Sequence, residues 1–445
     1  MRFVCSRLRR LTRRSPPRKP GVRMVHAPSA ANSAGTAPAG VGAGGPAIVS
    51  VCRTLPTPAD PTAGTFVASR LAALAQLADV RVVQPVPYFP IAKPLPSWAK
   101  AGERVHRGLA IEPAPMLYLP GMLKFLDAWW LARSARRSIE GLQRLRPVDL
   151  IDAHFGYPDG AGCVSVGRSL GLSVFVTIRG FETEFLRTPG IGVQIVRSLN
   201  AATGVISVSH SLRQVAIEHG VDGDRVRVIP NAIDRAVFQP GSREAARRTL
   251  ELDADAPLVL SVGHLVVRKR HHVLVRAFAG LRRLYPTATL AIIGAAVHER
   301  SYPEELARVV RDAGLGGHVR MLGPLPQPQV NTWLQACDVF ALASHREGCC
   351  NAVLEALAAG RPVVTTPVGD NAHYVSAGVN GALVPVDDVA GLEHALATAL
   401  GRSWDARAIA RTLEVGDWTA VAREVLSFFR ERLAEPTGVS RTAHA

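Results

Sequence analysis

Short apolar runs alternate with amphipathic stretches along most of this chain. In the first half, the pattern predicts strands at residues 47–52, 80–83, 148–153, 173–178, 204–208 and 226–229. It predicts helices at residues 66–77, 123–145, 159–170 and 210–219. Short apolar strands separated by longer helices are typical of a parallel sheet that is covered on both faces.

The alternation stops at residues 230–241, which contain Pro230, Pro240 and Gly241, and then restarts. The second half predicts strands at residues 258–262, 289–293, 319–322, 339–343 and 362–365. It predicts helices at residues 272–284, 303–313, 327–336 and 351–359. The last segment, 417–435, carries apolar residues at helical spacing and predicts a packing helix.

This order of elements predicts an α/β fold with two parallel-sheet domains in tandem. We expect the first domain at residues 46–235, the second at 241–415 and a C-terminal helix at 416–435. Because this helix follows the second domain, it can cross back onto the first. Ligands of such sheets bind outside the carboxyl ends of the strands. We therefore expect the functional site in the cleft between the two domains.

Composition narrows the class of protein. The chain has 445 residues, of which 47% are hydrophobic and 20% charged, a size typical of about two or three domains with sizeable cores. No apolar run approaches the ~18 residues that cross a bilayer, so we expect no transmembrane segment. The six cysteines show neither CxxC pairs nor the spacing of a zinc site. We interpret them as reduced thiols of a cytoplasmic enzyme.

The net charge of +16 is concentrated at the N-terminus. Residues 1–45 hold nine Arg or Lys residues and no acid, and run into a stretch of Ala, Gly, Pro and Ser. Such a segment buries too little apolar area to offset the cost of ordering it, so we expect a disordered tail. A misassigned start, with Met24 as the next candidate, and a functional basic arm are the other two interpretations.

Two glutamates frame the start of one predicted helix. Glu347 ends a strand loop, and Glu355 follows eight residues later, inside the helix that begins at Asn351. The free amides of a first helical turn bind anions, and a carboxylate accepts hydrogen bonds from the vicinal hydroxyls of a sugar. Spacing alone leaves a second interpretation open, in which both acids only complement the helix dipole.

The whole segment 347–364 resembles the E-x7-E signature of the family-4 retaining glycosyltransferases, which transfer sugars from nucleotide-sugar donors. Other segments resemble further motifs of that family, in the right order: the AHF-x-YPDG loop at 152–160, the IPNGVD hinge strand at 228–234, the VGRLxxxKG loop at 261–270 and the terminal W-x-x-V-A helix from 417. The resemblance covers residues 46–435. It implies a GT-B fold, in which two Rossmann-like domains face each other across a cleft and the second holds most of the donor nucleotide.

The resemblance assigns roles to the two glutamates and their neighbours. It implies that Glu355 grips the nucleotide ribose and that Glu347 contacts the transferred sugar. The remaining donor-binding positions that it implies are Gly263, His264, Gly348, Cys349, Cys350, Asn351 and Ala352. The resemblance implies that the last four act through their backbone amides, so small apolar side chains such as those of the two cysteines are acceptable there.

The basic run from Arg268 to Arg270 follows a predicted strand and a glycine. In the family it is the natural clamp for the diphosphate, whose negative charge grows as the sugar departs. Fixed cations aimed at that charge stabilise the transition state more than the ground state. We therefore name Arg268 and Lys269 as catalytic residues with Glu347, and a solvated basic loop is the other interpretation.

Three positions depart from the family pattern. His264 stands where many members have Arg, and Arg270 stands where glycine is usual. Arg179, followed by Gly180, replaces a histidine that normally lies beside the transferred sugar and phosphate. Since arginine is permanently protonated, we expect Arg179 to hold the diphosphate bidentately rather than to shuttle a proton. These changes resemble a subgroup with Arg-Gly at this position, and they predict a variant active site rather than an inactive one.

Residues of the first domain complete the expected site. Gly64 lies in a loop where the backbone must approach phosphate and acceptor closely, and it is the one residue of that loop without a Cβ. His154 ends a strand that faces the cleft, and a catalytic contact and a packed structural role are both open for it. His373 stands where many members have Glu and is left without a role.

We expect no metal and no other cofactor, because GT-B members generally use side-chain and helix charges where other transferases use Mg²⁺. Asp253 and Asp255 have D-x-D spacing, but they precede a predicted strand, and we interpret them as part of the segment that leads into it.

Segment 123–145 mixes aromatic and basic residues. The first interpretation is a helix with one buried face and one solvated face, and the second is a peripheral membrane surface. No nucleic-acid-binding motif accompanies the basic charge, so we expect no nucleic-acid partner.

The sequence thus predicts a cytoplasmic, metal-independent, retaining glycosyltransferase, with peripheral association at the inner face of the membrane as an option. It would move a hexosyl unit from a UDP- or GDP-sugar to a glycan or lipid-linked acceptor in polysaccharide or glycoconjugate biosynthesis. The alternatives are a GT-B epimerase or hydrolase of nucleotide sugars, and a non-catalytic module that binds them.

Overall fold

A computed structural model describes residues 45–119, 122–296, 299 and 301–435. The expected tail at 1–45 lies outside the described residues, apart from Gly45. The described strands are β1 (Ala47–Val51), β2 (Asp79–Tyr88), β3 (Arg104–His106), β4 (Leu109–Leu117), β5 (Leu150–His154), β6 (Ser173–Ile178), β7 (Gly204–Ser207), β8 (Val226–Val228), β9 (Leu258–Val262), β10 (Thr289–Ile293), β11 (Val319–Gly323), β12 (Val339–Leu342), β13 (Val363–Thr365) and β14 (Gly381–Leu383).

The described helices are α1 (Thr65–Leu74), α2 (Ser97–Lys100), α3 (Asp127–Leu145), α4 (Ala161–Leu170), α5 (Glu182–Phe185), α6 (Ile191–Ala201), α7 (His210–Glu218), α8 (Arg243–Thr249), α9 (His271–Leu281), α10 (Tyr302–Asp312), α11 (Gln327–Ala336), α12 (Asn351–Ala358), α13 (Asn371–Tyr374), α14 (Val389–Leu400), α15 (Ala406–Arg411) and α16 (Trp418–Ala434). Short helical turns also cover Lys124–Leu126, Gly156–Gly160, Gly223–Arg225 and Val267–Lys269.

The strands form two sheets, one in each half of the chain. The first, ordered β3-β4-β2-β1-β5-β6-β7-β8, is parallel except for the β3–β4 pair. The second, ordered β11-β10-β9-β12-β13-β14, is parallel throughout. Strand order reverses between β1 and β5 and between β9 and β12, which are the switch points beside which such sheets bind ligands. The predicted architecture of two Rossmann-like sheets is confirmed.

Apolar side chains pack on both faces of each sheet. The central strands β5 and β12 are buried along their whole length, which is why they read as apolar runs. The helices α3 and α10 bury one stripe of side chains and expose the opposite one. Within the described ranges, no helix combines the length and the apolarity needed to cross a bilayer.

The last helix, α16, packs against the first sheet beside α1. Phe428 and Phe429 contact Phe175 of β6, with ring centroids 5.8 and 4.4 Å away. Gly204 makes room for them, because a Cβ at that position would lie 2.8 Å from the Phe428 ring. The C-terminal helix therefore crosses back onto the first domain, as expected.

Some elements differ from those that the apolar pattern predicts. Strands β3 and β4 form a hairpin whose turn places Arg107 and Gly108 at φ values of 51° and 78°, and β4 carries two prolines that obscure its pattern. The predicted start of a helix at residue 123 is wrong. Leu123 is left-handed with φ 49°, a 3₁₀ turn covers Lys124–Leu126, and α3 begins at Asp127.

Candidate active site

Glu347 is the centre of a charged cluster at the carboxyl edge of the second sheet. It lies in the loop after β12, and its two cationic partners lie in the loop after β9. Lys269 Nζ is 2.5 Å from Glu347 Oε1, and Arg268 Nη1 is 3.3 Å from Oε2. Ser344 Oγ also donates to Oε1 at 2.5 Å. The structure therefore brings together Glu347, Lys269 and Arg268, which the sequence predicts as catalytic.

The buried Glu347 carboxylate stays ionised. Burial by itself raises its pKa, but Lys269 and Arg268 outweigh burial and hold the pKa of Glu347 below its ordinary value. Glu347 and Lys269 are each only 8% exposed. Because little water screens these charges, they act strongly on any charge that a ligand brings beside them.

The backbone of the cationic loop explains two residue preferences. A Cβ on Gly263 would lie 3.3 Å from Lys269 Cε, so a larger residue there would displace the lysine side chain. Arg270 is left-handed, with φ 52° and ψ 33°, which is the conformation that the usual glycine of the family adopts without strain. The Arg270 side chain pairs with Asp387 at 3.2 Å rather than with Glu347.

The helix α12 begins directly after this cluster. Its N-cap residue, Cys350, makes no side-chain hydrogen bond to the helix. The first turn is therefore not capped by its own N-cap side chain, and this helix end suits an anion. The predicted donor-binding positions lie in this segment, at Gly348, Cys349, Cys350, Asn351 and Ala352.

Glu355 lies one turn further into α12, and its surroundings differ from those of Glu347. No hydrogen bond from the described residues contributes to its ionisation. Burial raises the pKa of Glu355 to about 7, against the opposing effect of Lys269. A half-buried acid without donors among the described residues, close to a lysine, is suited to accept hydrogen bonds from the hydroxyls of a ligand.

The neighbouring thiols at the start of α12 are unreactive at neutral pH. Burial raises the pKa of Cys349 and of Cys350 to about 12 in each case. A thiol is a nucleophile only as the thiolate, so neither side chain is activated. Their contribution at this position comes from the backbone and from small size.

A second charged cluster lies at the carboxyl edge of the first sheet. Arg179 follows β6; its Nη1 donates to Asn231 Oδ1 at 3.0 Å and its Nη2 to His154 Nδ1 at 3.1 Å. Its guanidinium lies 5.2 Å from the Phe66 ring centroid. Burial, with help from the charge of Arg70, lowers the pKa of Arg179 to about 9. Each terminal nitrogen thus uses one of its two N–H groups for a protein partner, and Nε has no hydrogen-bond partner among the described residues.

His154 is fully buried in a defined tautomer. Because arginine only donates hydrogen bonds, Nδ1 of His154 is the acceptor and Nε2 carries the proton, which lies near Ser50 Oγ (3.0 Å) and Asp152 Oδ2 (3.3 Å). Burial lowers the pKa of His154 to about 4 despite the nearby Asp152. The neutral ring has no exposed surface. A direct catalytic contact for His154 is therefore not available in this arrangement, and its packed role is to hold Arg179.

Glu182, which sequence reasoning missed, builds the turn that carries Arg179. Its Oε2 accepts from the amides of Arg179 (3.0 Å) and Gly180 (2.7 Å), and its Oε1 from the amide of Gly156 (2.6 Å). One buried carboxylate thus ties the loop after β5 to the loop after β6. The sequence feature that could have identified Glu182 is an acid two residues after the glycine that follows a strand. Free backbone amides at such a strand end need an acceptor.

Gly64 precedes α1 in a left-handed conformation, with φ 57°. A Cβ on Gly64 would lie 2.0 Å from the carbonyl oxygen of Thr54. Gly64 therefore packs closely against the segment that follows β1, and the approach of this loop to phosphate and acceptor stays a prediction.

The two clusters meet where the domains touch. A Cβ on Gly180 would lie 3.0 Å from Gly348 Cα, and a Cβ on Gly348 would lie 2.6 Å from the carbonyl oxygen of Arg179. Asn231 links the clusters, since it accepts from Arg179 and donates to Asn351 Oδ1 at 3.0 Å. Arg179 of the first domain and residues Gly348 and Asn351 of the second therefore lie side by side at the domain boundary.

Asp370 joins the second domain to the helix α7 of the first. Its Oδ2 accepts from the amide of His210 at 2.7 Å and its Oδ1 from the amide of Ser211 at 2.9 Å. Arg346 and Glu184 form an ion pair across the same boundary. Sequence reasoning missed Asp370, because a Gly-Asp-Asn run by itself predicts only a turn.

Three other positions have simpler surroundings. His264 is exposed at the start of the cationic loop. His373 stacks near His210, with ring centroids 5.4 Å apart, beside the boundary of the two domains. Asp253 accepts from the amide of Asp255 at 2.8 Å, in the turn that precedes β9.

Two family models match the chain, one on each domain. The model for Glycosyltransferase Family 4 matches residues 63–237, and the model for Glycosyl transferases group 1 matches residues 242–411. The two ranges do not overlap and together cover most of the chain.

Two curated relatives illustrate the similarity in sequence. The D-inositol 3-phosphate glycosyltransferase of Frankia alni is 34% identical over 226 residues, which are 48% of this chain and 55% of the relative. The protein of the same name from Acidothermus cellulolyticus is 32% identical over 232 residues, 50% of this chain and 52% of the relative. The chain thus spans about half the length of the curated relatives that it matches.

Solved structures share the fold at low identity. Anabaena HepE in complex with UDP and glucose aligns with a TM-score of 0.67 and 19% identity, over 86% of this chain and 99% of HepE. Sucrose-phosphate synthase from Thermosynechococcus elongatus aligns with a TM-score of 0.70 and 20% identity, over 88% of this chain and all of the synthase. Two parallel sheets, the two family models in order and these neighbours lead to one conclusion: the chain belongs to the family-4 glycosyltransferases and has the GT-B fold.

Proposed function

We propose that this protein is a retaining glycosyltransferase. It transfers a hexosyl unit from a UDP- or GDP-sugar to a glycan or lipid-linked acceptor, in polysaccharide or glycoconjugate biosynthesis. The observation that carries the proposal is the Lys269–Glu347 ion pair beside the start of α12, with the half-buried Glu355 nearby. Cations, helix amides and acceptor carboxylates converge there, and a nucleoside diphosphate sugar needs all three.

Each part of such a donor finds a group in the second domain. We assign the diphosphate to Lys269, Arg268 and the amides of residues 348–352, and the transferred sugar to Glu347. We assign the ribose to Glu355, because a carboxylate accepts from two vicinal hydroxyls. Hydrogen bonds from these hydroxyls stabilise the ionised acid, so donor binding lowers the raised pKa of Glu355.

The proposed chemistry is departure of the diphosphate on the face that the acceptor attacks. The bond between the anomeric carbon and the diphosphate oxygen breaks, and negative charge grows on that oxygen beside Lys269 and Arg268. The acceptor hydroxyl bonds to the anomeric carbon on the same face and gives its proton to the leaving oxygen, so the configuration is retained. Fixed side-chain cations supply the neutralising charge, and we propose a metal-independent reaction on this basis.

Relatives suggest which substrates to test first. HepE has been solved with UDP and with UDP-glucose, which supports UDP-sugars ahead of GDP-sugars. The curated relatives are named for D-inositol 3-phosphate, which supports a phosphorylated polyol as the first small acceptor beside glycans and lipid-linked sugars.

One assay separates the three candidate functions. Purified protein is incubated with UDP- and GDP-sugars, with and without acceptors, and both the free nucleoside diphosphate and the remaining donor are measured. A transferase releases it in an acceptor-dependent manner, a hydrolase or epimerase consumes the donor without acceptor, and a binding module does neither. NMR of the product then tests retention at the anomeric carbon. Binding of UDP without turnover of any donor would favour the binding module and contradict the transferase.

A lipid-linked acceptor fits one surface of the first domain. Large apolar side chains that are 45–66% exposed gather at the start of α3, at Met122, Leu123, Phe125 and Trp129. Exposed arginines follow on the same helix at Arg133, Arg136 and Arg137. Apolar side chains bordered by cations favour an anionic bilayer surface. Sedimentation with phosphatidylglycerol vesicles but not with phosphatidylcholine vesicles supports this contact, and equal sedimentation of Trp129→Ser counts against it.

A further inference from the structure

A cavity of about 330 Å³ opens in the second domain, away from the candidate active site. Residues at the amino ends of three strands line it, namely Pro257 before β9, Asp338 before β12 and Pro362 before β13. The end of α14 and the start of α15 close its other side. In a parallel sheet, the amino ends of the strands lie at the edge opposite to their carboxyl ends, where Lys269 and Glu347 are found. The cavity is therefore separate from the cleft.

Arg361 lies in the wall of this cavity, and part of its guanidinium group makes no hydrogen bond to the described residues. It is 8% exposed, and its Nη1 donates to the carbonyl oxygen of Cys337 at 3.1 Å. Its Nε is buried without a hydrogen-bond partner in the described part of the chain. A buried donor without an acceptor is unfavourable. With Nη1 fixed by Cys337, the Nε–Nη2 edge is the one that remains for bidentate contact with an oxyanion.

A second arginine of the wall is held in place by stacking. The Arg402 guanidinium lies 4.4 Å from the centroid of the Trp404 ring. The ring itself is fixed, because Trp404 Nε1 donates to the carbonyl oxygen of Ala399 at 2.9 Å. Stacking leaves the in-plane donors of a guanidinium available for a ligand.

The acids around the cavity do not neutralise these two arginines. Asp338 is already shared by Arg243 and Arg247, each at 2.7 Å, and it also accepts from a backbone amide at 2.7 Å. Asp255 is the other carboxylate of the lining, and it is exposed. The cavity therefore keeps an excess of positive charge at the two arginines described above.

We propose that this cavity is a binding site for a small phosphorylated metabolite, with its phosphate on Arg361 and Arg402. Two arginine forks suit the several oxygens of a phosphate better than the two of a carboxylate. The volume lies at the lower end of the range for small-molecule sites, which suits a ligand of sugar-phosphate size. The site does not depend on the proposed transferase function, because it shares no residue with the cleft.

Inorganic phosphate is the probe for this site, with the full chain in the Lys269→Ala background to weaken phosphate binding in the cleft. Binding is measured by ³¹P line broadening and by the melting temperature, against chloride at equal ionic strength. Arg402→Gln and Arg361→Lys remove one fork each. Arg407→Gln is the matched control, because Arg407 is exposed on α15 and does not line the cavity.

We expect saturable phosphate binding in the background and in the Arg407→Gln variant. Loss of one fork weakens it about tenfold or more in Arg402→Gln and in Arg361→Lys. Absence of saturable binding in the background, or unchanged affinity in Arg402→Gln, would overturn the proposal. Should Arg361→Lys fail to fold, the exposed Arg402 still decides the question.

Discussion

The two charged clusters that border the cleft differ in how many of their polar groups already have partners within the protein. In the first domain, the terminal nitrogens of Arg179 bind His154 and Asn231, and the His154 ring is fully buried. In the second domain, Lys269 and Glu347 pair with each other, while Glu355 is half-buried and accepts no hydrogen bond from the described residues. In the first cluster the terminal nitrogens of Arg179 have protein partners and its Nε has none among the described residues, whereas the second cluster keeps an unused acceptor, the Glu355 carboxylate.

This contrast separates structural charge from charge that can act on a ligand. A polar group whose bonds are already made inside the protein stabilises the fold and gains little from a substrate. A group that is buried and unsatisfied gains much when a ligand supplies its partner. We therefore place the chemistry mainly on the second domain, and we expect the two clusters to respond differently to substitution.

The largest effect is expected for Lys269→Ala. Removing one preorganised charge from a leaving-group site costs about 10²–10³ in turnover. We expect such a fall in the kcat for donor turnover, measured by release of nucleoside diphosphate. Arg276→Ala is the control, because Arg276 is an exposed cation on α9 close by in sequence. A turnover equal to that of the wild type removes Lys269 from the site.

For the first cluster, His154→Leu is expected to affect stability more than turnover. It deprives Arg179 of an acceptor and Asp152 of a donor, and each unsatisfied buried group costs about 1–3 kcal/mol. Urea unfolding measures the loss, and turnover per folded molecule is expected to fall less than in Lys269→Ala. His318→Leu is the control, since within the described part of the chain that ring makes one hydrogen bond, at 3.3 Å with the Ala288 carbonyl oxygen. The reverse ranking of the two clusters contradicts the comparison.

Asp370→Ala tests how the clusters are held together. Losing an acceptor of helix N-terminal amides costs about 0.5–2 kcal/mol, and here the two bonded amides belong to the other domain. We expect a larger radius of gyration in small-angle X-ray scattering. Asp388→Ala removes a cap inside the second domain, at the Gly391 amide, and is expected to lower stability without changing the radius. Equal radii in the two variants argue against a role for Asp370 in domain contact.

A smaller effect is expected in the pH dependence of stability, and it arises from Glu355. The pKa of Glu355 in the folded chain is raised to about 7 from 4.5, so the folded state holds this proton more tightly than the unfolded state. Its ionisation therefore lowers stability as pH rises from about 4.5 to 7. The melting temperature of Glu355→Gln relative to the wild type should increase over that window. A constant difference between pH 5 and 8 contradicts the raised pKa.

The smallest effect is expected for Arg270→Gly. The substitution relieves a left-handed arginine, worth about 1–2 kcal/mol at most, and removes an exposed ion pair with Asp387, worth about 0–1 kcal/mol. We expect stability within about 1 kcal/mol of the wild type by urea unfolding and unchanged turnover. A large loss of turnover would assign Arg270 to the diphosphate clamp together with its neighbours.

The sequence was most informative where a single local rule governs the chain. Apolar period and motif spacing locate the strands that carry Glu347 and Lys269, and the fact that both loops follow parallel strands predicts that they meet. The contacts of Glu182, Asn231 and Asp370 were not predictable in this way. Each depends on which amide or side chain a distant loop brings near, and no local period encodes that.

The role of His154 shows the same limit. Its motif places it at the end of a strand facing the cleft, but exposure depends on what packs over it. Arg179, Ser50 and Asp152 contact the ring, which has no exposed surface. Burial is a property of the assembled domain, so a catalytic and a structural histidine look alike in sequence.

The central claim is that a nucleoside diphosphate lies between the cationic loop and α12, with its ribose on Glu355. A crystal structure of the complex with UDP, or with GDP if that binds more tightly, tests it most directly. The account predicts diphosphate oxygens within hydrogen-bond distance of Lys269 and of amides in residues 348–352, and ribose hydroxyls on the Glu355 carboxylate. A nucleotide bound elsewhere, with the Lys269–Glu347 pair untouched, would contradict it.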